Sequence, residues 1–154
     1  MAARTLIKNV SIVNEGKITV ADLLIDKGII QKIGHLNQAD SANVIDGTGK
    51  FLLPGIIDGQ VHFREPGLTH KGDLYTESKA AVAGGVTSFI DMPNTSPNVL
   101  TMAILNEKYR IASEQSLANF GFFLGVNGDN LDEVIALDTS KLLGVSDDGL
   151  YFTK

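Results

Sequence analysis

The sequence predicts an α/β protein in two parts: a small antiparallel β unit over residues 1–53, then parallel βα units over residues 54–154. Two observations predict this. Residues 5 to 53 are short runs rich in Ile, Val and Leu, broken by Asn and Gly at intervals that suit tight turns. After Pro54 the rhythm changes, and short apolar runs alternate with segments of helical periodicity.

The elements follow in order. Thr5-Leu-Ile-Lys-Asn-Val-Ser-Ile-Val13 reads as a strand ended by Asn14-Glu-Gly16. Ile18 to Asp26 reads as a second strand, turned by Asp26-Lys27-Gly28, and Ile29 to Ile33 as a third, ended by Gly34. Asn43 to Asp46 and Lys50 to Leu53 flank Gly47-Thr48-Gly49, which predicts a hairpin-like turn. Beyond Pro54, Gly55 to Val61 reads as a buried strand. A helix is expected from Asp73 to Ala83, with Leu74, Ser78, Ala81 and Val82 on one face and Gly84-Gly85 as its stop. Val86 to Met92 is the next strand. A longer helix follows Asn98, carrying Met102, Leu105, Tyr109 and Ala112 on one stripe. Asn119 to Gly125 reads as a strand, Leu131 to Leu137 as a short helix capped by Asp129 or Asn130, and Leu142 to Ser146 as the start of a fourth strand. This does not close an eight-stranded barrel. The pattern fits either an open parallel sheet or the N-terminal part of a longer enzyme.

Composition narrows the function classes. The chain has 154 residues, 44% hydrophobic and 20% charged, ordinary values for a globular protein. A formal charge of −5 argues against a nucleic-acid-binding surface. The absence of cysteine excludes disulfides, thiolate metal sites and Cys nucleophiles within these residues. No apolar run reaches the ~18 residues that span a bilayer. Met-Ala-Ala-Arg-Thr-Leu-Ile-Lys at the start lacks the apolar core of a signal peptide, so the expected location is the cytoplasm, with no membrane partner.

The chemistry concentrates in Asp58-Gly-Gln-Val-His-Phe-Arg-Glu-Pro-Gly67, where a strand leaves the sheet. Strand C-terminal ends are where α/β folds collect their reactive groups. Asp58, Gln60, His62 and Arg64 alternate, so an extended strand would point all four to one face. Burying four polar groups together is expensive unless a metal, ligand or water satisfies them. His62 therefore reads as a metal ligand rather than a packed histidine. Arg64 either pairs with a neighbouring acid such as Glu65 or forks onto a substrate carboxylate. Asn94, in Asp91-Met-Pro-Asn-Thr95, is either a Pro-Asn turn residue or an amide that orients substrate at the same sheet edge. Ser146-Asp147-Asp148-Gly149 is either a turn or a source of a carboxylate ligand to the metal on His62; imidazole and oxygen ligands both suit Zn²⁺. His70 is expected to be exposed or to support the site indirectly, and His35 to be structural or exposed. No Walker or dinucleotide fingerprint is present.

Taken together, Pro54-Gly-Ile-Ile-Asp-Gly-Gln-Val-His-Phe-Arg-Glu-Pro-Gly-Leu-Thr-His-Lys71 and Ala83-Gly-Gly-Val-Thr-Ser-Phe-Ile-Asp-Met-Pro-Asn-Thr95 resemble dihydroorotase, in the amidohydrolase superfamily. The resemblance covers essentially the whole chain. The Arg after the metal His and the Met-Pro-Asn-Thr run separate this family from hydantoinase-like and allantoinase-like relatives. It implies that residues 1–53 form half of a small β-sandwich and that residues 54–154 are the first part of a TIM barrel. The implied activity is interconversion of N-carbamoyl-L-aspartate and L-dihydroorotate, a small-molecule substrate pair in pyrimidine biosynthesis, with one or two Zn²⁺ at the barrel mouth. A homo-oligomer is expected.

Carried onto this sequence, His62 matches the second His of a metal pair, and Arg64 and Asn94 match groups that bind the substrate carboxylate. Asp148, or less closely Asp147, matches a bridging carboxylate. The sequence departs from the family pattern at two places. Position 60 of the His-x-His pair is Gln, whose amide oxygen is a neutral and weaker zinc ligand than imidazole. Ser146 stands where one class of the family carries a carbamylated Lys. No general acid–base Asp is assigned within residues 1–154; the resemblance places it, with the later His ligands, beyond Lys154. The chain alone is therefore expected to be inactive, and its unpaired sheet edge and apolar strand faces predict that it is unstable alone or the ordered part of a longer chain. Two other functions fit: a hydantoinase- or allantoinase-type cyclic amidohydrolase, or a non-catalytic dihydroorotase-like assembly subunit, the latter motivated by Gln60.

Overall fold

Leu6 and Val10, four residues apart and both buried, fix the inner face of the first strand, β1 (Thr5–Asn14). The computed structural model describes residues 4–37, 43–138, 140 and 142–150, and the chain divides into two units, Met1–Pro54 and Gly55–Lys154.

In the first unit, β1 pairs antiparallel with β2 (Lys17–Asp26), which pairs antiparallel with β3 (Ile29–Gly34). A register shift between Ile7 and Val10 leaves Asn9 at φ 54. Its freed N–H donates to Asp22 Oδ1 at 2.9 Å. Asp22 Oδ2 accepts from Leu36 N at 2.9 Å and lies 3.4 Å from Lys8 Nζ. A buried carboxylate thus ties a bulge to the chain after β3, and the Leu36 and Asn9 amides, in that order, hold its pKa below the usual carboxylate value.

The expected hairpin around residues 47–49 is corrected here. β4 (Asn43–Asp46) and β5 (Phe51–Leu52) each pair with β1 in parallel, so the sheet is mixed, not antiparallel throughout. The turn redirects the chain without reversing it. Thr48 donates through both its N–H and Oγ1 to Asp46 Oδ1, and Gly47 N donates to Lys8 O at 2.7 Å. A Cβ on Gly47 would lie 2.6 Å from Val10 Cβ, so only glycine lets the segment run this close to β1.

The second unit holds a parallel sheet in the order β6 (Ile56–Val61), β7 (Val86–Asp91), β8 (Asn119–Phe122). α1 (Leu74–Ala83) joins the first two. Asp73 caps it by accepting from Thr76 N, Gly84 ends it, and Gly85 turns away at φ 91. Leu74 and Ser78 are buried as expected from its stripe, whereas Val82 is exposed. α2 (Met102–Gln115), capped by Thr101, buries Leu105, Lys108 and Ala112.

The expected strand over residues 119–125 is two pieces. β8 continues the sheet, while β9 (Leu124–Gly125) pairs with β10 (Val145–Ser146). The expected cap of α3 (Leu131–Ile135) differs too. Asn130 occupies the cap position but makes no capping bond; its side chain donates to Leu100 O and Gly125 O instead.

The core is aromatic. Phe63 and Phe89 have ring centres 4.4 Å apart, Phe89 and Phe122 6.5 Å, and Tyr109 and Phe122 4.8 Å. Leu74, Val99, Leu105, Ala112 and Leu124 fill in around them. β6 is not the buried strand the sequence suggests. Among the described residues it pairs with one strand, β7, and Ile56 and Ile57 are 56% and 70% exposed. Among the described residues, no helix is long and apolar enough to cross a membrane.

Candidate functional site

Parallel pairing brings the C-terminal ends of β6 and β7 side by side, with Val61 opposite Asp91. The loop after β6 is then fixed at several points. Glu65 Oε2 accepts from Leu74 N at 2.8 Å, which ties the loop to the start of α1. Pro66 O accepts from Ser96 N at 3.1 Å, and a Cβ on Gly67 would collide with the Ser96 carbonyl. The loops after β6 and β7 therefore lie in contact, which puts His62 beside Asn94.

Four of the five residues singled out from the sequence meet here. The His62 Nδ1 and Asn94 Oδ1 atoms are 3.0 Å apart. An amide oxygen can only accept, so Nδ1 is the donor of this pair. His62 Nε2 faces Asp148 Oδ2 at 3.5 Å. Gln60 Nε2 donates to the same Oδ2 at 2.9 Å. Asp148 is fixed from its backbone as well, since its N–H donates to Ser146 Oγ at 3.1 Å. The next residue, Gly149, has φ 72, and a Cβ there would lie 2.4 Å from Asn94 Nδ2. Asp58 belongs to the same strand end, and its carboxylate accepts from Gln60 N at 3.0 Å.

Arg64 stands apart. The alternation that would aim it with His62 ends at Val61, where β6 stops, and Arg64 itself adopts φ 68. Its carbonyl accepts from Leu68 N, while its guanidinium has no hydrogen bond or ion pair among the described residues. Asp147 turns the chain through its carbonyl, which accepts from Leu150 N at 3.0 Å.

The pair that sequence reasoning passes over is Asp91 and Lys108. Lys108 sits on the apolar stripe of α2, three residues after Leu105 and four before Ala112, and is fully buried. That position was the available signal, because a lysine inside an apolar stripe needs a buried partner. Asp91 supplies it at 2.7 Å.

The dihydro-orotase-like family model matches residues 49–154. The chain belongs to that family. It is 42% identical over 145 residues to a dihydroorotase of Carboxydothermus hydrogenoformans, covering 92% of this chain and 34% of that protein. It is 37% identical over 153 residues to a dihydroorotase of Streptococcus thermophilus, covering 96% and 36%. Among solved structures it is similar to an L-hydantoinase (dihydropyrimidinase) from Arthrobacter aurescens, with a TM-score of 0.85, 29% identity, and coverage of 94% and 32%. A D-hydantoinase (dihydropyrimidinase) from Thermus sp. aligns with a TM-score of 0.67, 29% identity, and coverage of 96% and 36%. The chain spans about a third of the length of the curated relatives it matches.

The family's metal dependence can be weighed against the residues present. Two ligand atoms on one tetrahedral zinc, each about 2.0–2.2 Å from it, stand about 3.4 Å apart. His62 Nε2 and Asp148 Oδ2, at 3.5 Å, match that edge. The proton on Nδ1, directed to Asn94, is the arrangement a zinc-bound imidazole needs on its far side. These two side chains fit as ligands. Among the described residues, no group of three or more His, Cys, Asp and Glu side chains is gathered for a metal, and Gln60 turns its amide nitrogen, a donor, toward Asp148.

Proposed function

We propose that this chain carries the metal- and substrate-binding strand ends of a dihydroorotase, a zinc-dependent hydrolase of cyclic amide C–N bonds that interconverts N-carbamoyl-L-aspartate and L-dihydroorotate. The activity is proposed for the complete protein. The observation that carries it is the His62–Asp148 pair, 3.5 Å apart, with the far side of the imidazole held by Asn94.

In this reading His62 and Asp148 hold the metal. A bound Zn²⁺ supplies Lewis acidity and lowers the pKa of water toward about 7. Asn94 sets the His62 tautomer through Oδ1 and keeps its Nδ2 for the substrate carboxylate. Arg64, its guanidinium unpaired among the described residues, provides the charged fork for the same carboxylate. Gln60 is the remaining metal-site residue of the sequence reading; its N–H holds Asp148 in place, with its carbonyl as the weaker ligand atom. The mixed sheet of the first unit is then part of a β-sandwich, and the parallel sheet of the second is the beginning of a barrel. A cytoplasmic location, a homo-oligomeric state and one or two zinc ions belong to the same proposal.

Gln60 favours a second reading, a dihydroorotase-like assembly subunit without turnover, because an amide donor occupies the carboxylate that would bind metal. The full-length protein decides between them. Hydrolysis of dihydroorotate in preference to hydantoin and allantoin, with about one or more zinc ions per chain, supports the dihydroorotase. Preference for hydantoin or allantoin makes it a related cyclic amidohydrolase. Lack of turnover with less than about one zinc per chain supports the assembly subunit.

A further inference from the structure

One ion pair lies wholly inside the second unit. Lys108 Nζ is 2.7 Å from Asp91 Oδ2, with the two side chains 0% and 1% exposed. Taking two charges out of water is costly, and well-packed apolar residues of the same size often stabilise a core as well or better. Burial holds the Lys108 pKa below its usual value, and Asp91 opposes that shift. What the pair provides is placement. Asp91 Oδ1 accepts from Phe63 N at 3.0 Å, and Phe63 is the residue between His62 and Arg64. Lys108 Nζ donates to Met92 O at 3.0 Å, two residues before Asn94. The ammonium also sits 4.8 Å from the centre of the Phe122 ring, and the Asp91 carbonyl accepts from Phe123 N at 3.2 Å. The ends of β6, β7 and β8 thus converge on two side chains, one of them delivered by α2.

His62 and Asn94 meet at 3.0 Å only while their two loops keep this spacing. Functional groups tolerate displacements of about 0.5 Å before their geometry fails. We propose that Asp91 and Lys108 form a positioning pair that holds the His62 loop and the Asn94 loop at the separation their shared hydrogen bond requires. The pair touches neither metal nor substrate; it acts through Phe63 N and Met92 O. Its zinc readout rests on the reading of His62 as a ligand, and its tautomer readout does not.

The test uses the full-length protein. In the metal-free wild type, ¹⁵N NMR of His62 shows the Nδ1–H tautomer. In the Asp91→Leu/Lys108→Met double variant, the apolar pair preserves the fold but leaves Phe63 N–H and Met92 O without partners. The His62 signals move toward the Nε2–H tautomer, and zinc affinity falls about tenfold, the scale expected when support behind a ligand is lost. Lys108→Gln, uncharged and one atom shorter, shifts both readouts in the same direction by less, and carries the test if the double variant does not fold. Wild-type tautomer and zinc affinity in a folded variant, whatever its melting temperature, overturn the proposal. A wild type that shows the Nδ1–H tautomer yet binds no zinc overturns the metal reading and leaves the positioning pair standing. A wild type in the Nε2–H tautomer overturns the positioning pair.

Discussion

Replacing Gly149 with Ala tests the site geometry through a single methyl group. Two effects add. At φ 72 a residue with a Cβ costs about 1–2 kcal/mol. The new Cβ would also lie 2.4 Å from Asn94 Nδ2, 2.8 Å from its Cβ and 3.0 Å from its Cγ. Asn94 is not free to swing away, because its Oδ1 holds His62. Displacing it sacrifices one hydrogen bond, about 1 kcal/mol. The expected destabilisation is about 2–3 kcal/mol. Two other glycines separate the contributions. Gly85, at φ 91 with nothing near its Cβ position, isolates the backbone effect, so Gly85→Ala costs about 1–2 kcal/mol and leaves the site alone. Gly59 has open space and no positive φ, so Gly59→Ala is neutral or stabilises by about 0.5–1 kcal/mol. Urea denaturation of the three variants measures stability, and competition with a zinc chelator measures the site. Equal costs for Gly149→Ala and Gly85→Ala, with unchanged zinc affinity in both, would mean that the Asn94 contact carries no energy.

Three further outcomes follow from the same structure. On the proposed function, Arg64→Ala in the full-length protein is expected to weaken dihydroorotate binding by about 1.5–3 kcal/mol, the loss of one charge-assisted contact, read by isothermal titration; unchanged affinity removes Arg64 from the proposed role. Phe89→Ala, which takes away a ring 1% exposed and packed between Phe63 and Phe122, costs about 3–5 kcal/mol in denaturant titrations, and a cost under ~1 kcal/mol would show that the core is not organised around it. Asp22 has a folded pKa below its ordinary value of 3.8, so its stabilising effect is present above that value and is lost as pH falls through the folded pKa. The stability advantage of the wild type over Asp22→Asn should therefore shrink in melts taken stepwise below pH 3.8, and a constant difference would contradict the assignment.

Local signals made much of this fold legible. Turn glycines and β-rich runs mark the first three strands, and Asp73 and Gly84 mark both ends of α1, because caps and turns depend on residues a few positions apart. Long-range choices left weaker marks. Residues 43–52 read as a hairpin, yet both pieces dock on β1, a choice decided by the close fit of Gly47 over Val10 and by the Asp46–Thr48 turn. At the site, the family motifs exposed Gln60, His62, Asn94 and Asp148, and the structure joins them into one cluster. Alternation does not extend to Arg64, because β6 stops at Val61 and Arg64 adopts φ 68. The apolar stripe of α2 marks Lys108 as a buried lysine in need of a partner, but an acid beside a Pro-Asn turn suits solvent equally well, so Asp91 is identified as that partner only by the long-range packing.

Zinc titration of the full-length protein, with His62→Ala and Asp148→Ala as comparisons, shows whether these two side chains hold the metal. Each substitution is expected to lower zinc affinity by at least about tenfold, with His62→Ala also weakening the imidazole signature in the zinc-edge X-ray absorption spectrum. Wild-type zinc affinity in both variants would contradict the assignment of these two side chains as ligands.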